Sequence, residues 1–199
     1  MEMKFYDEYG PEMIVQVYDP KTGMAGVVVI DNTAIGVAKG GVRLVPDVTT
    51  QEVFGLARAM TWKNALAGIP FGGAKSGIRA PGNSPHKAAI VKAFAEKIAC
   101  FVPSLYVPGP DMNIGEREMA IIAETIGTPK AATGKPASMG GLPHELGSTG
   151  YGVALSTEVA LEHAKVPIAG SRIAIEGFGN VGTFTTKFLT EKYMFRRLT

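Results

Sequence analysis

A glycine-rich segment near the C-terminal end constrains the fold of this chain more than any other feature. Residues 171–176 are predicted to form a strand, and the sequence then reads Gly177-Phe178-Gly179-Asn180-Val181-Gly182 before a predicted helix. In such a strand–turn–helix unit the first glycine permits a tight turn, the second lets a pyrophosphate approach the backbone, and the third lets the helix pack closely. The helix N-terminus supplies unpaired N–H groups to the phosphates. Segment 177–182 is therefore predicted to bind a dinucleotide.

The sequence predicts only the first part of a dinucleotide-binding domain. In that fold an acidic residue about 20 residues after the glycines holds a ribose hydroxyl, and the sequence ends at Thr199, before that position. Residues 193–199 do not alternate like a buried strand. We therefore expect a C-terminally truncated chain that ends after the first βα unit of a Rossmann domain, with a frameshift or premature stop as the hypothesis for residues 193–199. The choice between NAD and NADP stays open.

The residues before this unit predict an α/β domain with a mixed sheet. Apolar runs at 12–19 and 24–30, joined by the turn 20–23, predict a hairpin, and a third extended segment runs from 33 to 38 and into 39–43. Apolar spacing, caps and breakers predict helices at about 50–67, 84–101, 115–126 and 148–164. The breaker-rich segment 127–150 separates two predicted domains, 1–147 and 148–199.

Composition excludes several classes of function. The chain has 199 residues, of which 46% are hydrophobic and 19% charged, and its net charge is +2. This gives no reason to expect nucleic acid or an anionic membrane as a partner. Cys100 is the only cysteine, and no apolar run reaches the roughly 20 residues that span a bilayer. We expect a cytoplasmic protein with no metal site and no nucleic-acid or membrane partner.

A second glycine-rich stretch, residues 69–77, places Lys75 among three glycines. Glycines let the backbone approach a ligand and take positive φ angles without strain, so we interpret the stretch as a loop. A lysine held there suits carbonyl chemistry, although a solvated lysine in a turn is the simpler interpretation of the stretch alone. Lys63, three residues after Met60, is expected near the buried edge of its helix. The local sequence favours Asp111 as a helix cap.

Five motifs in order resemble the glutamate/leucine/phenylalanine/valine dehydrogenase superfamily, and within it most resemble the glutamate dehydrogenases. The resemblance extends from about Lys39 to about Lys192. The motifs are Lys39-Gly40-Gly41-Val42-Arg43, Met60-Thr61-Trp62-Lys63-Asn64, Gly72-Gly73-Ala74-Lys75, Pro110-Asp111, and Thr149-Gly150 followed by segment 177–182. Each motif could arise by chance, but five in the family's order, separated by helices of the right type, are specific.

The resemblance implies roles for four residues of the amino-terminal part, a substrate and oligomerisation domain in this family. The residue matching Lys75 is the catalytic lysine, which polarises the substrate carbonyl and activates water, and the one matching Asp111 exchanges protons with the substrate nitrogen. The residue matching Lys63 binds the α-carboxylate, and the one matching Lys39 binds the distal carboxylate of glutamate. The implied reaction is reversible oxidative deamination of L-glutamate to 2-oxoglutarate and ammonia, with hydride transfer to NAD or NADP.

Cofactor contacts and assembly are implied in the same way. Members of the family are commonly hexamers, so a homo-oligomer is expected. Two alternatives stay open: a truncated, non-catalytic subunit or fragment that keeps only the oligomerisation domain, and a dehydrogenase of another amino acid such as leucine or valine. The expected cofactor contacts are Thr149, Gly177, Phe178, Gly179, Asn180, Val181 and Gly182.

Two departures from the family pattern are visible. Ser76 follows the lysine where the family usually has a second glycine, which suggests a divergent branch. Segment 140–145 lacks an arginine that many relatives place shortly before the Thr-Gly pair, and Glu145 falls near that position. Local cofactor or substrate contacts there are therefore in question, and His144 is expected to order the loop.

Overall fold

The computed structural model describes residues 6–142, 146–193 and 196–197. The chain forms two compact units, divided after Leu142. The first unit contains Lys75 and Asp111, and the second contains the glycine-rich segment 177–182. In the ranges described, no helix combines the length and the apolar character needed to cross a membrane.

The first unit is built on a five-stranded mixed sheet, as the sequence predicts. Strand β2 pairs with β1 and β4 in antiparallel orientation, whereas β3 pairs with β4 and β5 in parallel. The predicted hairpin is confirmed, with Met13 opposite Ile30 and Asp19 opposite Met24. The strands are β1 (Met13–Asp19), β2 (Met24–Asn32), β3 (Ala38–Leu44), β4 (Gly72–Ile78) and β5 (Tyr106–Gly109), in the spatial order β1-β2-β4-β3-β5.

Helices cover both faces of this sheet. Helix α1 (Thr50–Leu66) packs on one face, and helices α2 (Lys87–Ile98) and α3 (Glu116–Ile126) pack on the other. Successive side chains of a strand point to opposite faces. The smaller apolar cluster, on the α1 face, contains Val27, Val29, Val48, Val53 and Ala57. The larger one, on the α2 and α3 face, includes Val28, Ile30, Val42, Ile78, Phe94, Tyr106 and Met119.

Helix α1 begins at the predicted cap, and its buried face differs from the expected one at Lys63 and Asn64. The Thr49 hydroxyl accepts a hydrogen bond from the Glu52 N–H at 3.1 Å. Lys63 is exposed rather than at the buried edge. Asn64 is buried because its Nδ2 donates to the Gly72 carbonyl at 2.6 Å, a partner that the apolar pattern does not reveal. The buried residues of α1 are Val53, Ala57, Thr61 and Asn64.

The largest difference from the sequence prediction concerns the glycine-rich stretch 69–77. It is not a loop: its residues from Gly72 onward belong to β4, a central strand in which every residue is buried. A Cβ atom on Gly73 would lie 2.1 Å from Thr61 Oγ1, and one on Gly72 would lie 1.9 Å from the Asn32 carbonyl oxygen. These glycines are therefore required by close packing of α1 and the neighbouring backbone, and not by a turn.

Two element boundaries also differ from the prediction because turns replace regular structure. Strand β3 begins only at Ala38, since a turn in which the Gly36 N–H donates to the Thr33 carbonyl at 3.0 Å precedes it. Helix α2 begins at Lys87 and not at Ser84. The Lys87 N–H donates to the Ser84 carbonyl at 3.2 Å, which closes a turn before the helix.

The second unit contains two helices and two short strands. Strands β6 and β7 pair in parallel over two residues. The predicted strand at 171–176 is therefore wrong at 174–176, because a strand extends only where a neighbour supplies hydrogen bonds, and in the part of the chain that is described the ladder stops at Ile173. The elements are α4 (Ser148–His163), β6 (Arg172–Ile173), α5 (Asn180–Tyr193) and β7 (Arg196–Arg197).

Helix α4 was expected to bury an apolar face with Val153, Leu155, Val159, Ala160 and Leu161; Leu161 packs against the core of the unit, but the fully buried positions are small residues. Gly150 and Ala154 are buried, whereas Val153 and Val159 are exposed. A Cβ atom on Gly150 would lie 2.5 Å from Phe184 Cβ. Helix α5 thus approaches α4 most closely at a glycine, which a search for large apolar side chains overlooks.

Candidate active site

The α1 face of the sheet collects the charged residues that the sequence singles out. On β3, Lys39, Gly41 and Arg43 alternate with residues of the large apolar cluster, and on β4 Lys75 alternates with Ala74 in the same way. Because strand side chains have a period of two, these cationic residues share one face. The sheet thus brings together charges that are distant in sequence.

Lys75 and Asp111 form an ion pair at the centre of this face. Lys75 Nζ lies 2.9 Å from Asp111 Oδ1, and the side chains are 7% and 20% exposed. Arg43 Nε donates to the other carboxylate oxygen, Oδ2, at 2.8 Å. Arg43 also contacts Glu52, with Nη1 and Oε1 separated by 2.6 Å. The four side chains form one chain of alternating charge.

The two cations keep Asp111 ionised. Burial raises the pKa of the Asp111 carboxyl, but hydrogen bonds from Arg43 and Lys75 lower it by more, so the pKa lies below its ordinary value. The side chain is therefore a carboxylate at neutral pH. With both cations charged beside it, it can accept a proton from a substrate while the surrounding cations remain in place.

The loop after β5 positions Asp111, and Asp111 is not the helix cap that its local sequence suggests. The N-cap of α3 is Gly115. The loop is fastened to the end of β3: the Leu44 N–H donates to the Met112 carbonyl at 3.0 Å, and Asn113 Nδ2 donates to the Leu44 carbonyl at 2.9 Å. Asn113 has φ of 60°, a left-handed conformation that asparagine tolerates better than most residues.

Gly41 leaves the space in which the ion pair forms. A Cβ atom there would lie 2.8 Å from Asp111 Cβ and 3.2 Å from Lys75 Nζ. Both contacts are closer than normal packing allows, so the pair requires a residue without a side chain at this point of β3. The glycine of the motif at 39–43 thus has a direct role in the geometry of the site.

Lys39 is half-buried, next to the segment that follows α3. Its Nζ donates to Thr133 Oγ1 at 2.5 Å. Burial, and next the charge of Lys135, lower the pKa of Lys39 to about 8. At neutral pH the ammonium form predominates but is destabilised, which favours binding of an anion that can neutralise it.

Lys63 stands apart from these contacts. It is exposed on α1, the helix that covers this face of the sheet. Among the residues described, no hydrogen bond or ion pair joins its side chain to Lys39, Lys75 or Asp111. The structure therefore brings Lys75 and Asp111 into contact, puts Lys39 on the same face, and leaves Lys63 on the solvent side.

Ser76, the departure from the family pattern, points to the opposite face of the sheet. It is fully buried, and its Oγ lies 2.8 Å from the Tyr106 hydroxyl, which donates in turn to the Gly40 carbonyl at 3.1 Å. Burial raises the pKa of Tyr106, which keeps the phenol neutral. The serine is accommodated because the core supplies a hydrogen-bond partner, and Lys75 is not displaced.

In the second unit, the glycine-rich segment forms a tight turn followed by a helix. Gly177 has φ of 86°, and a Cβ atom on Gly182 would lie 2.0 Å from the Gly177 carbonyl oxygen. Thr149 is exposed in the first turn of α4. Residues 143–145, and with them the expectations for His144 and Glu145, lie outside the described residues. A groove of about 580 Å³ is lined by residues that include Ile175, Gly177, Gly179, Asn180, Val181 and Gly182.

Comparison with protein families identifies the group to which these motifs belong. The family model "Glu/Leu/Phe/Val dehydrogenase, dimerisation domain" matches residues 11–128. The chain belongs to the Glu/Leu/Phe/Val dehydrogenase family. A second model, "Glutamate/Leucine/Phenylalanine/Valine dehydrogenase", matches residues 140–194. The resemblance predicted from the five motifs is confirmed.

Curated relatives in this family are similar in sequence to this chain over part of their own length. Glutamate dehydrogenase of Aeropyrum pernix is 40% identical over 170 residues, which cover 80% of this chain and 41% of that protein. NADP-specific glutamate dehydrogenase of Saccharolobus shibatae is 42% identical over 173 residues, which cover 80% and 40%. The chain spans about two fifths of the length of the curated relatives it matches.

Solved structures of the family share the fold. The hetero-hexameric glutamate dehydrogenase of Thermus thermophilus, in a leucine-bound form, matches with a TM-score of 0.84 and 31% identity, over 94% of this chain and 49% of that one. Glutamate dehydrogenase of Peptoniphilus asaccharolyticus matches with a TM-score of 0.79 and 28% identity, over 92% and 50%. The predicted α/β fold class with a mixed sheet is confirmed.

Two residues of the site, Arg43 and Lys135, have no role in the sequence-based prediction. Arg43 was part of a recognised motif, and its position four residues after Lys39 on one strand would have placed both on one face. Lys135 gives no comparable signal, because it lies in an irregular segment whose path depends on tertiary contacts. Its burial and its effect on Lys39 emerge only from the structure.

Proposed function

We propose that this chain takes part in the reversible, nicotinamide-dependent oxidative deamination of L-glutamate to 2-oxoglutarate and ammonia. The observation that carries the proposal is the Lys75–Asp111 pair, held by Arg43 on the same sheet face as the half-buried Lys39. The reaction needs a base for the substrate nitrogen and cations for the carbonyl oxygen and the distal carboxylate. The names of the relatives, glutamate dehydrogenases, support the same reaction.

Asp111 is the proposed base toward the substrate nitrogen. Its low pKa keeps it ionised at neutral pH, so it can accept a proton from the α-ammonium group. The lone pair left on the nitrogen favours departure of hydride from Cα and formation of an imine. NAD or NADP, when bound, supplies the hydride acceptor.

Lys75 is the proposed group that acts on the oxygen that water introduces. A water adds to the imine carbon and gives up a proton to the substrate nitrogen, and the Lys75 ammonium stabilises the developing carbonyl oxygen of 2-oxoglutarate. Its contact with Asp111 gives a path for protons between the substrate nitrogen and the added water. Ammonia leaves once the C–N bond breaks.

The two substrate carboxylates are proposed to bind separate lysines. Lys39, half-buried and with a lowered pKa, binds the distal carboxylate. Lys63, exposed on α1, binds the α-carboxylate. A half-buried lysine at position 39 disfavours an aliphatic substrate side chain there, which argues against leucine or valine as the substrate.

The glycine turn of the second unit fits a dinucleotide. The Gly182 position has no room for a side chain, because the start of α5 lies against the Gly177 carbonyl. Gly177, Gly179 and Asn180 line one groove, and N–H groups at a helix N-terminus suit phosphates. We propose that segment 177–182, with Thr149, holds NAD or NADP.

A spectrophotometric assay tests the proposed reaction. The purified chain is supplied with L-glutamate and with NAD or NADP, and formation of the reduced cofactor is followed by absorbance. Lys75→Met and Asp111→Asn are each expected to lower the rate by about 100-fold or more, the usual loss for a general acid or base. Asp47→Asn, an exposed carboxylate before α1, serves as the control. Equal rates in all four proteins, or faster turnover of L-leucine, would contradict the proposal.

A second candidate function is that of a non-catalytic, oligomer-forming subunit. It is favoured by the match of residues 11–128 to the family model that is described as a dimerisation domain. Light scattering coupled to size-exclusion chromatography tests it. A homo-oligomer, a hexamer by analogy with the family, that forms no reduced cofactor would favour this candidate. A monomer without turnover would argue against both candidates.

A further inference from the structure

Lys135 is a buried lysine to which the proposed reaction assigns no role. Its residue exposure is 9%, and its Nζ donates to the Ala132 carbonyl at 2.9 Å. Burying an ammonium group is costly unless an anion or several acceptors compensate it. One carbonyl within the same turn is a small compensation, so a second partner is expected.

The segment that carries Lys135 is hydrogen-bonded to β5, the strand that precedes Asp111. The Thr133 N–H donates to the Pro108 carbonyl at 3.0 Å. Gly134 has φ of 66°, and a Cβ atom there would lie 2.3 Å from Pro110 Cγ. Pro110 immediately precedes Asp111. The position of Lys135 is therefore set by the same residues that lead into the catalytic loop.

The segment brings Lys135 toward Lys39. Thr133 Oγ1 accepts from Lys39 Nζ, and Lys135 follows Thr133 by two residues. The two lysine charges are close enough to repel each other. In the part of the chain that is described, no Asp or Glu pairs with either lysine. A buried cation, a half-buried cation and a hydroxyl thus lie close together, with no carboxylate of the described residues paired to them.

We infer that Lys135 is the second cation of the pocket for the distal carboxylate and sets, with Lys39, the preference for a dicarboxylate substrate. The inference rests on the proposed function for the identity of the ligand. A carboxylate has two oxygens, and a pair of cations can satisfy both, which a single lysine cannot. The repulsion between the lysines is relieved when the anion binds, so affinity and selectivity come from the same arrangement.

Ligand titration of the whole chain tests the inference. The probes are 2-oxoglutarate and 2-oxopentanoate, which share the α-carboxylate and differ in the distal carboxylate. Lysine-labelled protein followed by NMR reports both binding and the titration of Lys39. The wild-type chain is expected to prefer 2-oxoglutarate. Lys135→Met is expected to lower that preference about tenfold, the effect of losing one hydrogen bond to a charged group.

Two further variants separate a role in binding from a role in folding. Lys135→Arg keeps the charge and is expected to keep most of the preference. Lys130→Met removes an exposed lysine from the same segment and is expected to change nothing. In Lys135→Met the pKa of Lys39 is expected to rise from about 8, which checks that the two charges are close together, while the changed ligand preference at an unchanged fold reports the role in binding.

The outcomes distinguish the inference from the proposed reaction. Lack of preference in the wild-type chain, an unchanged preference in Lys135→Met, or equal weakening of both ligands would each overturn the inference. A chain that prefers 2-oxoglutarate through Lys135 but forms no reduced cofactor would contradict the proposed reaction and support the inference.

Discussion

Asp111 accepts hydrogen bonds from two cations at once, so replacing it affects more than one contact. Lys75 is nearly buried, and Arg43 is about as exposed as Asp111 itself. Removing the carboxylate leaves both cations facing each other with Glu52 as the remaining anion of the cluster among the described contacts. Replacing Asp111 is therefore expected to affect folding as well as the proposed catalysis.

Asp111→Asn is expected to destabilise the first unit by about 2–3 kcal/mol at pH 7, since it removes one partner of a largely buried pair. The native pKa of Asp111 lies below 3.8. The stabilisation is then present above that value and is lost as pH falls through the native pKa. Urea unfolding at pH 7 and near pH 3 measures this stabilisation, and the difference in the free energy of unfolding between wild type and variant should be smaller near pH 3. An equal difference at both pH values would refute the explanation by charge.

The charge of Lys39 destabilises the fold, whereas the charge of Asp111 stabilises it. Its pKa is about 8 in the folded chain and 10.5 ordinarily. The folded state therefore bears the full cost of the buried charge below pH 8, and that cost disappears as pH rises toward 10.5. A residue kept for binding an anion is expected to weaken the fold that holds it.

Lys39→Met is expected to stabilise the first unit by about 2 kcal/mol at pH 7, less than the full value of the pKa shift because a hydrogen bond to Thr133 is lost. This stabilisation by Lys39→Met should decrease between pH 8 and pH 9.5. Chemical unfolding at these pH values measures it, with Lys130→Met as the exposed control. Destabilisation at pH 7 would show that the hydrogen bond outweighs the buried charge.

At the scale of elements, β4 shows how close packing determines sequence. Its glycines allow α1 and the neighbouring backbone to lie directly on the strand, which places Lys75 at a fixed depth in the sheet. Helix α1 also contains a glycine, Gly55, that is exposed and has open space around its Cα. Replacement of glycine by alanine is therefore expected to destabilise the first unit in β4 and to stabilise it at Gly55.

Gly73→Ala is expected to destabilise the first unit by about 2–4 kcal/mol, because the new methyl group would lie 2.1 Å from Thr61 Oγ1 and 2.3 Å from the Thr61 nitrogen. Gly55→Ala is expected to stabilise it by about 0.5–1 kcal/mol through helix propensity. Thermal unfolding of the two variants beside wild type is the measurement. Similar effects of both substitutions would mean that α1 can move away from β4.

The sequence predicted the elements whose signals are local. The hairpin, helix α3 and the turn–helix at 177–182 follow from alternation, periodicity and glycine spacing, and the structure agrees. Strand β4 was missed because glycines indicate loops unless the helix packed on them is known. Lys75 and Asp111 could be named from motifs, but the contact between them depends on the order of β3, β4 and β5, which no local pattern contains.

At the scale of the whole molecule, the two units differ in the size of their cores. The first has a large apolar cluster that draws on four strands and two helices. In the described part of the second unit, the buried members of the cluster are Ala154 and Leu189, with partly buried neighbours around them. Local stability follows buried apolar contact, so strand β4 and the proposed cofactor turn are expected to open at different rates.

Hydrogen exchange followed by mass spectrometry tests this difference. Amides of β4 are expected to exchange slowest, and those of α5 at least about tenfold faster, because α5 packs against a smaller core. Leu189→Ala should speed exchange in α4 and α5, at a cost of about 2 kcal/mol for a buried leucine, and leave β4 unchanged. If the substitution accelerates exchange in β4 equally, the two units open together. The stability of β4 then depends on the unit that carries the glycine turn.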